Sequence, residues 1–509
     1  MTVEAEAELI VTRTATTVQL VDQKRIVELP LNGRRPERLM YLSAGTVDLG
    51  RNSCRICGHG GVYPGEQTAG VNGAGIGQVN YQLDGAGHND TYINTSLPFP
   101  NPDSVQEFNL QSSNFTAEYG NAAGGIVNVV TKSGTNEVHG SLFYFLRNGN
   151  LNSRQFFAPE QDVLKRNQFG GSVGGPIVKD KLFFFGTYQG TILRNVPAGI
   201  NRFVPTAAER QGDFSSVPTQ LIDPVSKEPL VNNQIPDSRF SPVSMFFLER
   251  IPLPNGPNRL VTFPGAKIEQ EENQFMTKFD YVEGRHQLSG RYYFTDFNAP
   301  PEVGPANILA AGTSGNAVRV QNVSLNYTYV PSPTLLMNTT FGFNRQRGGS
   351  LSSADFSLAD AGAKVIGPET IEDLNSPPEL VVTVTDGFRI RTNHLGDFDR
   401  GDFTIREVVT KIAGPHELRF GGEAVRVSNH IINTFQMADQ VTFNGQLSGF
   451  GLSDFMFGRI SRFRQGGGEF KDLKGTKWGF FLQDNWRVNS RLNLNLGIRW
   501  DPFIPYYDL

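Results

Sequence analysis

The stretch KWGFFLQDNWRVNSRLNLNLGIRWD, residues 477–501, consists of two alternating segments joined by a tight turn. In the second segment every second residue from Leu492 to Trp500 is apolar, and the residues between them are asparagine, glycine or arginine. Such alternation predicts a β-strand with one apolar and one polar face. A strand of about ten residues is long enough to cross a bilayer when tilted. A soluble β-sandwich or β-solenoid is the alternative, but strands in globular proteins average about five or six residues.

The links between predicted strands alternate between two kinds along the chain. Tight turns fall at residues 178–181, 282–286, 330–333, 413–416 and 488–491. Long connections fall at residues 149–167, 194–271, 298–317, 347–400 and 430–472. In an up-and-down sheet this places turns at one end and large loops at the other, as in an outer-membrane barrel. A Greek-key sandwich gives no reason for that polarity. The count predicts about eleven strands, the first near residues 136–148.

Composition agrees with a β-rich protein and excludes several other classes. The chain has 509 residues with 55 glycines and 38 phenylalanines, and only 19% of its residues are charged. No run of 18 apolar residues occurs, so a transmembrane helix is not expected, whereas alternating barrel strands stay compatible with this composition. The net charge of −4 gives no reason to expect a nucleic-acid partner.

The region before Thr131 has a different pattern, typical of a small α/β unit. Residues 78–90, QVNYQLDGAGHND, predict a strand that runs into an Asp-Gly turn. Residues 103–113, DSVQEFNLQSS, predict a short helical start followed by a strand, and GIVNVVTK at 125–132 predicts a further strand. A compact glycine-rich unit therefore leads directly into the first long alternating strand.

Several co-linear segments together carry a family resemblance. They are ELPLNGRR (28–35), VNGAGIGQVNYQLDGAGHND (71–90), NPDSVQEFNLQSSNFTAEYG (101–120), EYGNAAGGIVNVVTKSG (118–134), TNEVHGSLFYFLRN (135–148), KRNQFGGSVGGPIVKDKLFFFGTYQG (165–190) and FFLQDNWRVNSRLNLNLGIRWDPF (480–503). In this order they resemble the TonB-dependent outer-membrane receptors, and more narrowly their Oar-like branch. The resemblance implies a mainly β protein in the cell outer membrane. It also implies a small α/β plug domain over residues 8–134, followed by the N-terminal half of an antiparallel transmembrane β-barrel with long extracellular loops over 135–509.

The resemblance also implies partners. These are outer-membrane lipid, an extracellular ligand of unknown identity, and a TonB-type energising protein acting through a segment before residue 1. The expected function is uptake of a large nutrient such as an oligosaccharide, a peptide or a metal chelate. The alternative is an Oar-like surface, export or adhesion barrel without nutrient uptake.

We expect the chain to be a fragment. Its start lacks the pattern of a signal peptide, and it stops after about half the strands of such a barrel. An open eleven-strand wall would leave two edges that lipid cannot hydrogen-bond. We therefore expect that this polypeptide alone does not insert as a working transporter.

Ligand contacts are expected from the outward loops of the plug, residues 51–63 and 85–96, together with the long extracellular loops. The candidate ligand-binding residues are Arg51, Asn52, His59, His88, Asn89 and Asp90. For each of them taken singly, an ordinary hydrated loop position is the alternative. The two cysteines, Cys54 and Cys57, form a Cys-x-x-Cys pair. A loop-tightening disulfide is favoured, with free thiols and a metal site as alternatives, since only His59 stands nearby as a further ligand.

No pattern in the sequence indicates an enzyme or a cofactor. GAGIGQ at residues 73–78 imitates a dinucleotide loop, but no βαβ unit surrounds it. The seven histidines are scattered without metal-ligand spacing, and no nucleophile elbow is present. The expectation is a binding or transport protein without catalytic, cofactor or metal residues.

Overall fold

The computed structural model describes residues 16–49, 63, 69–120, 122–154, 156, 161, 163–196, 199–263, 267–301, 307–309, 315–351, 357–365, 379–392, 395–437, 439–502 and 504–508. Within these ranges the chain forms three parts. A small N-terminal domain lies against one face of a large antiparallel sheet, here called the wall. The long links of the wall fold together into a third part, here called the loop domain.

The small domain is built on a five-stranded mixed sheet with the order β1-β6-β7-β4-β5. Its strands, with a separate β2–β3 pair, are β1 (Thr17–Asp22), β2 (Thr46–Asp48), β3 (Ala69–Val71), β4 (Val79–Leu83), β5 (Ala86–Gly87), β6 (Val105–Ser113) and β7 (Gly125–Thr131). Its helices are α1 (Gln23–Glu28) and two 3-10 helices, Pro36–Leu42 and Pro102–Ser104. The predicted strand, Asp-Gly turn and helical start are confirmed, since Asp84 and Gly85 have φ of 50° and 77°, a combination that a tight hairpin requires.

The wall contains eleven antiparallel strands joined edge to edge in chain order, which confirms the predicted number. They are β8 (His139–Asn148), β9 (Lys165–Val178), β10 (Leu182–Asn195), β13 (Ile268–Glu283), β14 (His286–Ala299), β15 (Gly315–Ser332), β16 (Leu335–Leu351), β19 (Gly396–Ala413), β20 (His416–Asn433), β23 (Glu469–Asn489) and β24 (Leu492–Trp500). A short strand β25 (Tyr507–Asp508) also pairs with β23. The sheet is open, because β8 and β24 each have one edge without a strand partner in the ranges given above.

The two faces of the wall differ as the alternation predicted. On β13, Phe275 and Phe279 are exposed on the outer face, whereas Met276 and Lys278 between them are buried against the small domain. The outer positions of β24 are also exposed, with 70% of Ile498 and 65% of Trp500 accessible. A continuous exposed apolar face on long strands is suited to lipid rather than water.

The inner face of the wall completes the core of the small domain. Phe185 of β10, Met276 of β13 and Tyr293 of β14 belong to the same buried cluster as Phe108 and Val127 of the small domain. Tyr63, Phe297 and Val320 form a second cluster across the same interface. The small domain and the wall therefore bury apolar surface jointly.

The loop domain is formed by the links between β10 and β13, β14 and β15, β16 and β19, and β20 and β23. Its strands are β11 (Ile200–Phe203), β12 (Leu260–Phe263), β17 (Val381–Val384), β18 (Arg389–Arg391), β21 (Gln440–Phe443) and β22 (Arg462–Arg464). Its helices are α2 (Ala207–Arg210), α3 (Pro242–Leu248), α4 (Gly451–Met456) and two 3-10 helices, Val231–Asn233 and Asp237–Arg239; another 3-10 helix, Gly149–Leu151, follows β8. None of the helices in the described ranges is long and apolar enough to cross a membrane.

One hydrophobic core runs through the four links of the loop domain. Phe214, Phe247, Phe388 and Phe455 lie in this cluster and are almost fully buried. The Phe455 ring packs edge-on against the rings of Phe388 and Phe443, with centroids 5.4 and 5.3 Å apart. The parallel pairing of β17 with β21 joins two links directly. Segments predicted only as long loops thus form a folded unit.

Candidate functional site: the interface between the small domain and the wall

The loop after β4, residues 83–92, crosses the inner face of the wall. Its main-chain carbonyl groups receive hydrogen bonds from wall side chains on three successive strands, β14 to β16, and on β20. The donors are Arg291 to Leu83 O (3.1 Å), Asn326 to Asp84 O (3.1 Å), Asn322 to Gly87 O (2.9 Å), Asn344 to Asn89 O (2.8 Å) and Asn429 to Thr91 O (3.5 Å). The wall satisfies carbonyls that would otherwise be buried without a partner.

Asp84 lies at the centre of a buried charge cluster. Its carboxylate accepts hydrogen bonds from Thr131 N and Thr131 Oγ1, both at 2.8 Å. Arg291 Nε lies 2.7 Å from Asp84 Oδ2, and Lys278 Nζ lies 3.9 Å from Oδ1. Burial raises the pKa of Asp84, but the two cations and the Thr131 hydrogen bonds outweigh it, so the pKa lies below its usual range. The carboxylate is therefore charged and joins the small domain to β13 and β14.

Two further acidic residues of the small domain pair with wall arginines. Asp90 forms an ion pair with Arg400 of β19, and both side chains are at most 1% exposed. Glu118 forms ion pairs with Arg406 of β19 and Arg419 of β20. Removal of one partner from a buried pair leaves an uncompensated charge, which typically costs about 3–5 kcal/mol.

A fourth ion pair has the opposite polarity. Arg35 of the small domain binds Glu272 of β13 through two hydrogen bonds of 2.9 and 2.6 Å. Tyr63 Oη also donates to Glu272, at 2.8 Å. Glu37 lies close to this group and is fully buried, and neither of its carboxyl oxygens has a hydrogen-bond partner among the residues described. Burial, which outweighs the attraction of Arg35, raises the pKa of Glu37 to about 7.

A polar cavity of about 180 Å³ adjoins the Arg35–Glu272 pair. Arg35, Arg38 and Arg166 contribute to its lining, and Arg166 Nη1 lies 3.5 Å from Asn32 Oδ1. The cavity lies where the small domain meets the end of β9 that leads to a long link. Its size and its guanidinium groups suit water or a small anionic group.

Three of the predicted ligand-binding residues lie in the described part of the chain, and all three are engaged inside the protein. His88 is fully buried, its Nε2 donates to Pro98 O at 2.9 Å, and burial lowers its pKa to about 3. Asn89 accepts from Tyr81 N at 2.8 Å and donates to Val79 O at 3.0 Å. Asp90 accepts from Tyr92 N at 2.8 Å besides pairing with Arg400. Their role in ligand contact stays a prediction.

Arg51, Asn52, His59, Cys54 and Cys57 lie outside the described residues. Their predicted ligand contacts and the predicted disulfide stay predictions. In the described part of the chain, no three histidine, cysteine, aspartate or glutamate side chains are placed to hold a metal ion.

The sequence reasoning missed the wall half of this interface. Asn322, Asn344 and Arg400 are each at most 2% exposed and all contact residues 87–90. The sequence did contain an indication of these contacts, because all three residues occupy the polar positions of alternating strands, which face inward. Large polar side chains at these inward-facing positions could have been predicted to contact the small domain rather than water.

Comparisons with known proteins agree with this architecture. Residues 130–509 match the outer membrane beta barrel domain family. The TonB-dependent transporter Oar of Myxococcus xanthus is 34% identical over 132 residues, which cover 24% of this chain and 12% of that protein. The outer membrane transporter YddB from Escherichia coli has a TM-score of 0.57 at 12% identity, over 95% of this chain and 56% of that chain.

A second solved structure gives a similar result. The ferric citrate transporter FecA in the unliganded form has a TM-score of 0.53 at 10% identity, over 96% of this chain and 56% of that chain. The chain thus spans little more than half the length of these two solved structures and about an eighth of the curated relative. At these identities the solved structures support the fold alone.

Proposed function

Because the chain belongs to the outer membrane β-barrel domain family and has the architecture of a TonB-dependent receptor, we propose that it forms the plug and part of the barrel wall of a nutrient transporter. The small domain is the plug, within the predicted residues 8–134, and the wall and loop domain correspond to the predicted residues 135–509. The nutrient is a large molecule such as an oligosaccharide, a peptide or a metal chelate, which reaches the plug from the side of the long links.

The observation that carries the proposal is the buried polar interface between plug and wall. Asp84, Asp90 and Glu118 pair with cations of the wall, and residues 83–91 are held through their carbonyl groups. These polar contacts position the plug in one orientation, and their groups can exchange partners for water when the plug moves, beside the apolar cluster that the plug shares with Phe185, Met276 and Tyr293. A purely apolar interface would resist hydration.

A TonB-type energising protein of the inner membrane supplies the force for that movement in our proposal. The relatives are transporters and receptors, and no enzymatic role is proposed. The comparisons do not favour an Oar-like adhesion or export barrel that lacks uptake.

A reversible tether between plug and wall tests the proposal. Thr91 Oγ1 donates to Asn429 Oδ1 at 2.5 Å, so these two side chains meet across the interface, and cysteines are placed at both positions to form the tether. The pair Thr91→Cys and Asn429→Cys would be placed in a receptor containing this chain, with Cys54→Ser and Cys57→Ser to remove the native thiols. Growth on panels of oligosaccharides, peptides and ferric chelates identifies the nutrient, and its labelled form then measures uptake.

We expect the oxidised tether to abolish uptake and a reductant to restore it. The single-cysteine variants, which cannot form the cross-link, are the matched controls and should transport normally. Deletion of the TonB-type protein should abolish uptake in every variant. Undiminished uptake through a fully cross-linked receptor, or uptake without the energising protein, would contradict the proposal.

A further inference from the structure

The small sheet of the loop domain ends in a strand that is open to further pairing. The sheet has the order β18-β17-β21-β22, and β22 (Arg462–Arg464) pairs only with β21 in the described ranges. An exposed edge strand is a template for an added strand from another chain.

An apolar pocket lies against the face of this sheet at the β22 edge. Val382, Val441 and Phe463 stand side by side on β17, β21 and β22 and form one side of a cavity of about 250 Å³. Phe247, Phe443 and Phe455 line the cavity as well. The polar residues in its lining are Ser241, Ser244, Lys364 and Asp439. The packing of Phe455 against Phe443 and Phe388 makes this a formed cavity rather than a gap between mobile loops.

The two edges of the sheet differ in how well their central side chains are covered. Phe463, at the centre of β22, is 43% exposed, and the neighbouring Ile460 is 45% exposed. Ile390, at the centre of β18, is fully buried. Only the β22 edge therefore presents an apolar group that a partner side chain could cover.

The exposed charged groups on β22 are cationic, whereas Asp439, the acidic residue in the pocket lining, is buried. Arg462 and Arg464 flank Phe463 on the opposite face of β22, and both are exposed. Neither of them, nor the exposed Arg459, forms an ion pair with any residue that the structure describes. Arg391 on the β18 edge differs, because Glu379 Oε1 binds its Nε at 3.1 Å.

We propose that β22 and the adjacent pocket bind an extended acidic peptide that adds a strand to this sheet. A large apolar side chain of the peptide enters the pocket beside Phe463, and the acidic residues on either side of it lie across from Arg462 and Arg464. Successive side chains of a strand point to opposite faces, so the motif acidic–apolar–acidic matches both faces at once. Opposite charges on directly paired strand positions are favourable.

This inference deepens the proposed function by naming a peptide as a ligand of the loop domain. It rests on the proposed function only in placing the loop domain on the outer side of the membrane. Binding does not require transport, so the two can fail separately.

The test is binding of designed peptides to the full chain in detergent. The probe is fluorescein-Gly-Ser-Glu-Phe-Glu-Ser-Gly, which is symmetric about phenylalanine and so tests both strand directions. Fluorescence anisotropy measures affinity, and hydrogen exchange measures protection of residues 461–465. We expect saturable binding and slowed exchange at these residues. Replacement of the peptide phenylalanine by serine should weaken binding at least ~10-fold, because the pocket is then left empty.

Charge reversal provides the decisive variant. Arg462→Glu with Arg464→Glu should weaken binding of the acidic peptide at least ~10-fold, because like charges then face each other. The same variant should bind a Lys-Phe-Lys peptide, and this rescue shows that the variant is folded. Arg389→Glu, on the opposite edge of the same sheet, is the matched control and should leave binding unchanged.

Three results would overturn the inference. The first is equal affinity of the wild type and the charge-reversal variant for the acidic peptide. The second is peptide binding that does not slow hydrogen exchange at residues 461–465. The third is no peptide binding by a chain whose residues 451–457 exchange slowly. The last measurement reports on the folded core around Phe455. Loss of transport with intact peptide binding would count against the proposed function alone.

Discussion

At the scale of single residues, three buried carboxylates of the small domain are neutralised by cations of the wall. Asp84, Asp90 and Glu118 have their cationic partners on the wall, so each domain alone would keep uncompensated groups. Charges that are removed from water need such partners. The polar interface therefore favours one orientation of the plug against the wall. Substitutions in it should weaken the docking of the plug more than they destabilise the wall.

Asp84→Ala should lower the free energy of unfolding of the plug by about 3–5 kcal/mol, because it leaves Arg291 and Lys278 buried without their counter-charge. Guanidinium titration of the chain in detergent, combined with hydrogen exchange of residues 79–92, measures this loss. The double variant Asp84→Ala with Arg291→Met should recover part of it, since the buried charge is removed. A loss that is no smaller in the double variant would contradict the assignment.

Glu37 should make the stability of the plug depend on pH. Its pKa is about 7 in the folded protein and about 4.5 when the chain is unfolded. The folded state therefore retains the proton, and the stability that Glu37 contributes is greatest below pH 4.5 and is lost as the pH rises through about 7. The difference corresponds to about 3 kcal/mol. His88, whose pKa is lowered to about 3 by burial, contributes with the opposite sign below about pH 6.5. Guanidinium titrations of the wild type and of Glu37→Gln between pH 4.5 and 8 should differ by this slope, because the contribution of His88 is common to both proteins. An unchanged slope in the variant would refute the role of Glu37.

At the scale of elements, the alternation of short turns and long links is explained by a single sheet. All five tight turns lie at one end of the wall, and the four links that build the loop domain lie at the other.

The junction from plug to wall is also an element-scale feature. There residues 132–138 leave β7 and pack against β9 and β10, where backbone approaches backbone closely.

Gly134→Ala should destabilise this junction by about 1–3 kcal/mol, as overpacking does elsewhere. A Cβ atom at Gly134 would lie 2.7 Å from the carbonyl oxygen of Gly175 and closer still to that of Phe184. Gly186→Ala on β10 is the matched control, because the nearest atom to its added Cβ is 3.9 Å away. Guanidinium unfolding should separate the two variants. Equal stabilities would show that the junction can relax without cost.

At the scale of the whole molecule, the wall is an open sheet with two free edges in the part of the chain that the structure describes. Eleven antiparallel strands place β8 and β24 in the same direction. An all-antiparallel closed barrel therefore requires an odd number of further strands between these edges. Lipid offers no hydrogen-bond partners to the two edges as they stand.

The isolated chain should therefore not form a closed, heat-resistant barrel. After refolding in detergent or liposomes, it should run at the same position on a denaturing gel whether or not the sample is boiled. A complete outer-membrane barrel of similar size, which shifts on boiling, serves as the control. A compact monomer that shifts on boiling and takes up ligand into liposomes would contradict this expectation.

The sequence by itself determined the wall. The period of two along each strand, and the alternation of turns with long links, are local patterns that depend only on strand geometry and the contrast between lipid and polar surroundings. The small domain was predicted in outline for the same reason, because its turns carry residues such as Asp84 and Gly85 that specify local backbone conformation. These features need no knowledge of which strands or loops meet in space.

Only the tertiary structure decided which groups the inward-facing polar side chains of the wall contact, and what structure the long links form. Asn322 and Arg400 look like solvated positions in sequence, yet they bind a plug loop more than two hundred residues away. The four links share one core because apolar residues from separate segments, such as Phe214 and Phe455, are brought together at one end of the sheet. Contacts between distant segments are set by the packing of the whole chain, and a local sequence pattern does not indicate which distant segment it will contact.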